Sequence, residues 1–248
     1  MCGRFELHSQ PAAIALAFGL GHAPDLQARY NIAPMTDVPI VRVSAEGHRE
    51  LVRVRWGLVP RWAKDPTIGA RMINARGETL ADKPSFQMPY RWHRCLLPAD
   101  GFYEWQSKPP RAAGGDAARK QPMHIGMADG SLFGLAGLFE RWRSEDGNVL
   151  DTCAIVTTEA NALIAGIHDR MPLIIAPQDY ERWLDPANAD VADLIAPYPA
   201  AAMACRPVSF RVNSVRNDDA ALLDRAEQAA VDTATEDAPN IPEQESLF

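Results

Sequence analysis

The sequence predicts an α+β fold: a single domain built round a curved, mostly antiparallel β-sheet or barrel, with short helices at its periphery. Three observations point there. β-branched and aromatic residues cluster or alternate in short runs along most of the chain, the few helical patterns are short, and no regular strand–helix–strand alternation of the kind that builds a parallel sheet is present. With 47% of 248 residues hydrophobic, the chain has ample material for a core.

Taken in order, Ser9-Gln10-Pro11 ahead of Ala12, Ala13, Ile14, Ala17 and Phe18 predicts a helix, with Ser9 as its N-cap and Pro11 early, where a missing N–H costs little. Gly19 and Gly21 end it. Strands are expected at residues 38–43, 51–56, 123–127, 132–139, 152–157, 172–175 and 208–212, and short helices at 179–184 and 190–195. Residues 107–121, rich in Pro, Gly, Ala, Lys and Arg without periodicity, read as an exposed loop. The domain is expected to span residues 1–224. Residues 225–248 are acidic and rich in Ala, Thr, Pro and Glu, a composition that buries too little apolar surface to offset its ordering entropy, so they read as a disordered tail.

Composition excludes several classes of function. Cys2, Cys95, Cys153 and Cys205 lie far apart, with no Cys-x-x-Cys pair and no Cys/His pair at finger spacing, which argues against a disulfide framework and a structural zinc site. No metal or organic cofactor is implied. No apolar run reaches membrane-spanning length and no secretory signal opens the chain, so a cytoplasmic, nucleoid-associated monomer is expected. The net charge of -7 is concentrated: nine acids and one base fall after residue 217, leaving 23 acids and 24 bases before it. Within that neutral body, residues 49–96 carry ten Lys/Arg against four acids, enough for a local phosphate-binding surface or for a solvated mixed-charge face.

Chemistry enters at residue 2. Removal of Met1 leaves Cys2 with a free α-amine, ordinary pKa ~7.7–8.0, and a thiol near ~8.5, so a useful fraction of each is reactive at neutral pH. A 1,2-aminothiol condenses with an aldehyde to an imine, and its sulfur then closes a five-membered thiazolidine. The structural alternative is a cysteine that packs as a small hydrophobe.

Four motifs, far apart in sequence, belong with it: Cys2-Gly3-Arg4-Phe5; Met72-Ile73-Asn74-Ala75-Arg76-Gly77-Glu78-Thr79; Gly101-Phe102-Tyr103-Glu104-Trp105; and Ile167-His168-Asp169-Arg170-Met171-Pro172. Together with Trp56-Gly57-Leu58-Val59-Pro60 and Trp62-Ala63-Lys64 they closely resemble the SRAP (SOS-response-associated peptidase) family, whose members process abasic sites in DNA. The resemblance runs from residue 2 to about Val215. It implies a single-domain fold, a role in DNA damage and the SOS response, and a thiazolidine crosslink between mature Cys2 and the ring-opened abasic sugar in single-stranded DNA.

The same resemblance implies roles for the other residues. Glu104 stands where the family has its catalytic acid, and its aromatic neighbours favour the protonated form by desolvation. His168 stands where the family has a histidine for ring opening, proton transfer and crosslink reversal, a task suited to an imidazole. Asn74 is expected to hold the sugar or the N-terminus at near-attack distance. Arg4 and Arg76 are expected as phosphate ligands, since guanidinium forks match phosphate oxygens, and Trp62 and Trp105 as platforms for unpaired bases. Structural roles stand beside these: a hydrogen-bonded core carboxyl, a loop imidazole, a turn-capping Asn and buried tryptophans. Two rival functions use the same residues. One is a cysteine peptidase or amidohydrolase, with Cys2 as nucleophile, His168 as base and Asn74 as orienting group, whose minimal act is removal of Met1 in cis; a general methionine aminopeptidase also serves that step. The other is a non-catalytic single-strand binding module in which Cys2 is dispensable.

Gln244-Glu245-Ser246-Leu247-Phe248 resembles the Gln-x-Ser/Asp-Leu-Phe peptides by which bacterial proteins dock on the DNA polymerase sliding clamp. That resemblance implies a clamp partner engaged by Gln244, Leu247 and Phe248 at the end of a tether.

Overall fold

The computed structural model describes residues 2–106 and 120–224. In chain order the strands are β1 (Phe5–Leu7), β2 (Arg29–Ile32), β3 (Asp37–Val43), β4 (Arg49–Trp56), β5 (Asn74–Arg76), β6 (Arg94–Ala99), β7 (Gly101–Gln106), β8 (Gln121–Met127), β9 (Phe133–Arg143), β10 (Val149–Glu159), β11 (Arg170–Pro172), β12 (Ile174–Ile175) and β13 (Met203–Pro207). Helices α1 (Pro11–Phe18), α2 (Gln87–Trp92) and α3 (Tyr180–Leu184) and several 3-10 turns lie round them. None of these helices is long and apolar enough to cross a membrane.

The fold is α+β, centred on a closed five-strand barrel. β4 pairs with β3, β3 with β6, β6 with β9 and β9 with β10, all antiparallel, and a parallel pairing of β10 with β4 closes the ring. Closure removes the free edges an open sheet would expose. A second, antiparallel sheet runs β13-β8-β7-β1-β2. β6 is buried along its whole length, as a strand covered on both faces must be. On one side Trp183 of α3 lies over it, donating its indole N–H to the Cys95 carbonyl at 2.9 Å.

The expected strands at 38–43, 51–56, 123–127 and 152–157 fall within β3, β4, β8 and β10, and that at 132–139 falls in β9 apart from Leu132, which precedes it. Residues 172–175 make two strands instead of one. Leu173 sends its N–H to Val156 of β10 and its carbonyl accepts from Ala136 of β9, so the chain changes partner there. Residues 208–212 are not a strand: Ser209 caps a 3-10 turn over Phe210–Asn213. Val208 makes a single bridge, its N–H going to the Pro122 carbonyl, and Val212 lies in the turn; both pack with Tyr103 and Leu222. Ser9 does not cap α1. Its N–H and hydroxyl both go to Asp100, and Gln10 takes the cap position without a side-chain bond. Gly19 ends α1 in the left-handed conformation, φ 65°. Of the expected loop 107–121, Gln121 belongs to β8, and residues 107–119 lie outside the described residues, as does the tail 225–248.

Candidate active site

Cys2 stands three residues before the first residue of β1, and β1 is an interior strand of its sheet. Phe5 pairs with Phe102 and Glu6 with Gly101, and the Tyr103 N–H donates to the Arg4 carbonyl at 2.9 Å, carrying the ladder toward Cys2. This brings the first residues of the chain beside Glu104 of β7. Side chains alternate across a strand, so Phe102 and Glu104 face one way, with Phe102 in the main core, while Tyr103 and Trp105 face the other way, into a smaller cluster with Val208, Val212 and Leu222.

Asn74 arrives from the barrel. β5 runs parallel to β10 with Asn74 opposite Ile155. The preceding Ile73 carbonyl accepts from both the Trp56 indole N–H (2.8 Å) and the Ile155 N–H (3.0 Å), which fixes the backbone that presents Asn74. Close contact of Gly57, φ 141°, with Gly69 seats the loop after Trp56: a side chain on Gly57 would meet the Gly69 carbonyl oxygen at 2.8 Å. The Asn74 carboxamide donates from Nδ2 to the Cys2 carbonyl at 2.9 Å, and its Oδ1 is buried without a hydrogen-bond partner among the described residues.

Electrostatics tie the remaining residues in. Cys2 is fully buried, and burial, reinforced by the charge of Glu104, pushes its thiol well above the ordinary range. Desolvation raises Glu104, and nearby groups, His168 among them, pull it partly back. The Arg170 N–H donates to His168 Nδ1 at 3.0 Å, and Asp169 Oδ1 lies 2.7 Å from the same nitrogen. These contacts need opposite protonation: Nδ1 accepts from Arg170 only when bare and pairs with Asp169 only when protonated. With Nδ1 accepting from the Arg170 N–H, the hydrogen of the neutral ring tautomer lies on Nε2.

The structure thus gathers Cys2, Asn74, Glu104 and His168. The other expected residues are placed differently. Arg4 points to the far face of β1: its Nη1 donates to Asn31 Oδ1 (2.6 Å) and the Val212 carbonyl (2.8 Å), and its guanidinium lies 5.6 Å over the Trp105 ring. Trp105 is half-buried and donates its indole N–H to Asn213 Oδ1 at 2.7 Å. Arg76 is exposed, two residues from Asn74. Trp62 is 57% exposed on a loop held to the barrel by the Trp142 indole bond to the Ala63 carbonyl (2.7 Å) and by Arg61 against buried Glu140. Arg94, from the basic stretch, is spent inside on the carbonyls of Trp183, Tyr90 and Asn188. Gln244, Leu247 and Phe248 lie outside the described residues. Among the described residues no group of three His, Cys, Asp or Glu is placed to hold a metal.

One pair went unassigned in the sequence. Arg170 forms a two-pronged bridge to Glu78, both contacts 2.8 Å, and also donates to the Thr157 carbonyl, tying the His168 loop to the Asn74 segment. Both residues lie inside quoted motifs, and their opposite charges were the available signal.

The arrangement defines a β-barrel protein whose candidate site is assembled on its own first residues. The chain belongs to the SOS response associated peptidase (SRAP) family, whose model matches residues 1–215. It is 40% identical over 230 residues to the abasic site processing protein YoqW of Bacillus subtilis, covering 90% of this chain and 99% of that one. To the abasic site processing protein YedK of Escherichia coli it is 32% identical over 238 residues, with the same 90% and 99% coverage. A crystal structure of a protein from Bacteroides thetaiotaomicron matches with a TM-score of 0.76 at 28% identity, over 91% of this chain and 100% of that one.

Proposed function

We propose that this chain processes abasic sites in single-stranded DNA by covalent capture, with residues 1–224 as the catalytic domain and mature Cys2 as the reacting residue. The observation that carries the reading is the hydrogen bond from Asn74 to the Cys2 carbonyl, beside a buried carboxyl and within the field of an imidazole. Once Met1 is gone, the Cys2 nitrogen becomes an amine in a pocket whose buried acceptor, Asn74 Oδ1, has no partner among the described residues. The relatives' names, abasic site processing proteins, agree with that chemistry.

The order of steps follows from acidity. Burial holds the Cys2 sulfur as a thiol, which disfavours a thiolate peptidase, whose nucleophile needs a lowered pKa. The amine therefore attacks first. Its nitrogen lone pair adds to C1′ of the ring-opened sugar, and the resulting hydroxyl takes a proton from Glu104 and leaves as water, forming an iminium. The thiol sulfur then adds to the same carbon. Its proton passes to the Glu104 carboxylate, the iminium electron pair returns to nitrogen, and a thiazolidine results. His168 exchanges protons with the sugar during ring opening. Trapping the imine preserves the strand, because an imine left alone undergoes β-elimination. Removal of Met1, in cis or by a general methionine aminopeptidase, is the sole hydrolysis this reading needs.

Arg76 and Trp62, both exposed, are read as DNA contacts, Arg76 to phosphate and Trp62 to an unstacked base. Arg4 and Trp105 are read as supports on the opposite face that hold the strands carrying Cys2 and Glu104. The test is direct: mature protein mixed with a single-stranded oligonucleotide bearing one abasic site gives a heat-stable adduct whose mass is protein plus DNA less one water. A site reduced beforehand with borohydride gives none. Absence of adduct with the unreduced site, or retention of Met1 in the cellular protein, sinks the proposal.

The terminal Gln244, Leu247 and Phe248 are read as a ligand for a sliding clamp. A peptide of residues 238–248 is expected to bind a cognate clamp at concentrations on the order of tens of micromolar, and silence there removes the idea.

A further inference from the structure

We propose that Glu6 is a positioning residue for the reaction: it locks the strand carrying Cys2 in register with the strand carrying Glu104. This rests on the reading of Cys2 and Glu104 given above. β1 is three residues long, its pairing with β7 is registered at Phe5–Phe102 and Glu6–Gly101 with flanking main-chain bonds from Tyr103 to Arg4 and from Asp100 to Glu6, and its pairing with β2 shifts register between Phe5 and Leu7. Burial of Phe5 and Leu7 fixes the face each presents, but so short a ladder leaves the strand resting on few main-chain bonds. A slip of one residue would carry Cys2 away from Glu104.

A buried polar knot supplies what the ladder lacks. Glu6 is 1% exposed. Its Oε1 accepts from His124 Nε2 of β8 at 2.7 Å, with His8 Nε2 3.6 Å away, and its Oε2 lies 3.1 Å from the Tyr103 hydroxyl of β7. That hydroxyl also lies 2.9 Å from the Tyr30 carbonyl of β2. Asp100 takes the N–H groups of His8 and Ser9 at 2.6 and 2.8 Å, holding the strand's far end. One carboxylate on β1 is thereby joined to β2, β7 and β8. Gly101 makes room for it, since a side chain there would meet His124 Nε2 at 2.3 Å and Glu6 Oε1 at 2.8 Å.

The knot reaches the chemistry through adjacent residues of β7. Tyr103 belongs to the knot and Glu104 to the pocket, on opposite faces of one strand. Glu6 touches no reacting atom. Its effect passes through the distance between the Cys2 nitrogen and the Glu104 carboxyl.

Single-turnover adduct formation with abasic single-stranded DNA tests this in four mature, full-length proteins: wild type, Glu6→Ala, Glu104→Gln and the double variant. At saturating DNA, Glu6→Ala is expected to slow the reaction roughly tenfold, with the half-saturating DNA concentration unchanged, and to add less than about twofold in the Glu104→Gln background. Glu6→Gln keeps one acceptor oxygen, for His124 or for the Tyr103 hydroxyl but not both, and is expected to fall between wild type and Glu6→Ala; it carries the cycle alone if Glu6→Ala does not fold. A Glu6 variant at the wild-type rate overturns the proposal. So does equal slowing in both Glu104 backgrounds, the mark of a purely structural loss. A wild-type rate for Glu104→Gln overturns both the acid role of Glu104 and this proposal, whereas absence of adduct in the wild type itself defeats the underlying reading.

Discussion

Asn74 holds Cys2 from the main-chain side: its Nδ2 donates to the Cys2 carbonyl at 2.9 Å while its Oδ1 stays buried and unpaired. Asn74→Ala removes both. Stability is expected to fall by only about 1 kcal/mol, the worth of one net hydrogen bond, whereas adduct formation falls at least roughly tenfold through lost orientation. Thermal melting and single-turnover kinetics on the same preparation separate the two effects, and proportionate losses would count against an orienting role.

Cys2→Ser keeps the amine and loses the soft sulfur. The variant is expected to form no durable crosslink yet to retain or gain strand scission, because its imine is no longer trapped. Denaturing gels of end-labelled abasic DNA read both products. Intact DNA together with no adduct would contradict the scheme.

Glu104 is raised above its ordinary 4.5 by desolvation. The sign follows from the extra proton the folded state holds: its stability is fully present below the unfolded pKa and is lost as pH rises through the raised one. Glu104→Gln cannot ionise. Its melting temperature is therefore expected to match wild type at about pH 4 and to exceed it at about pH 8, while its crosslinking is slower. A variant less stable than wild type at the higher pH would show the buried carboxylate to be well accommodated.

Glu6 behaves oppositely. Burial alone would raise its pKa, but hydrogen bonds and charge from His124 and His8 outweigh burial and bring it down to about 2 from an ordinary 4.5. Its contribution is present above pH 4.5 and lost as pH falls toward 2. Wild type and Glu6→Gln should accordingly converge in melting temperature over that interval, and a constant gap would show that ionisation of Glu6 carries no stability.

Trp62 stands out from an anchored loop and is 57% exposed. Trp62→Ala is expected to leave melting nearly unchanged and to weaken single-stranded DNA binding by about 1–3 kcal/mol, the usual worth of one stacked base. Fluorescence anisotropy with undamaged DNA measures it, and unchanged affinity removes Trp62 from the interface.

The barrel was legible in the sequence where burial is one-sided or the run is long, as in β3, β4, β9 and β10. β6 carries no alternation because both its faces are covered, and β1 and β5 are three residues each, too short for any period to register. Cys2, Asn74, Glu104 and His168 could be named because each sits in a motif with a family likeness. The partners that Arg4 and Trp105 take within the fold were not legible. Nothing local announces that Arg4 is held by Asn31 and Val212, one of them 208 residues away. The knot round Glu6 was invisible for the same reason, its closest partner being His124, 118 positions on.

Asn31 sends its carboxamide to the carbonyls of Val212, Ser214 and Asn217, and Asp218 receives the N–H groups of Tyr30 and Asn31. On the ribosome these partners emerge long after the segment they secure, 181 to 188 residues further along the chain. β2 is thus fastened late, and a nascent polypeptide lacks this clasp until synthesis has passed Asp218.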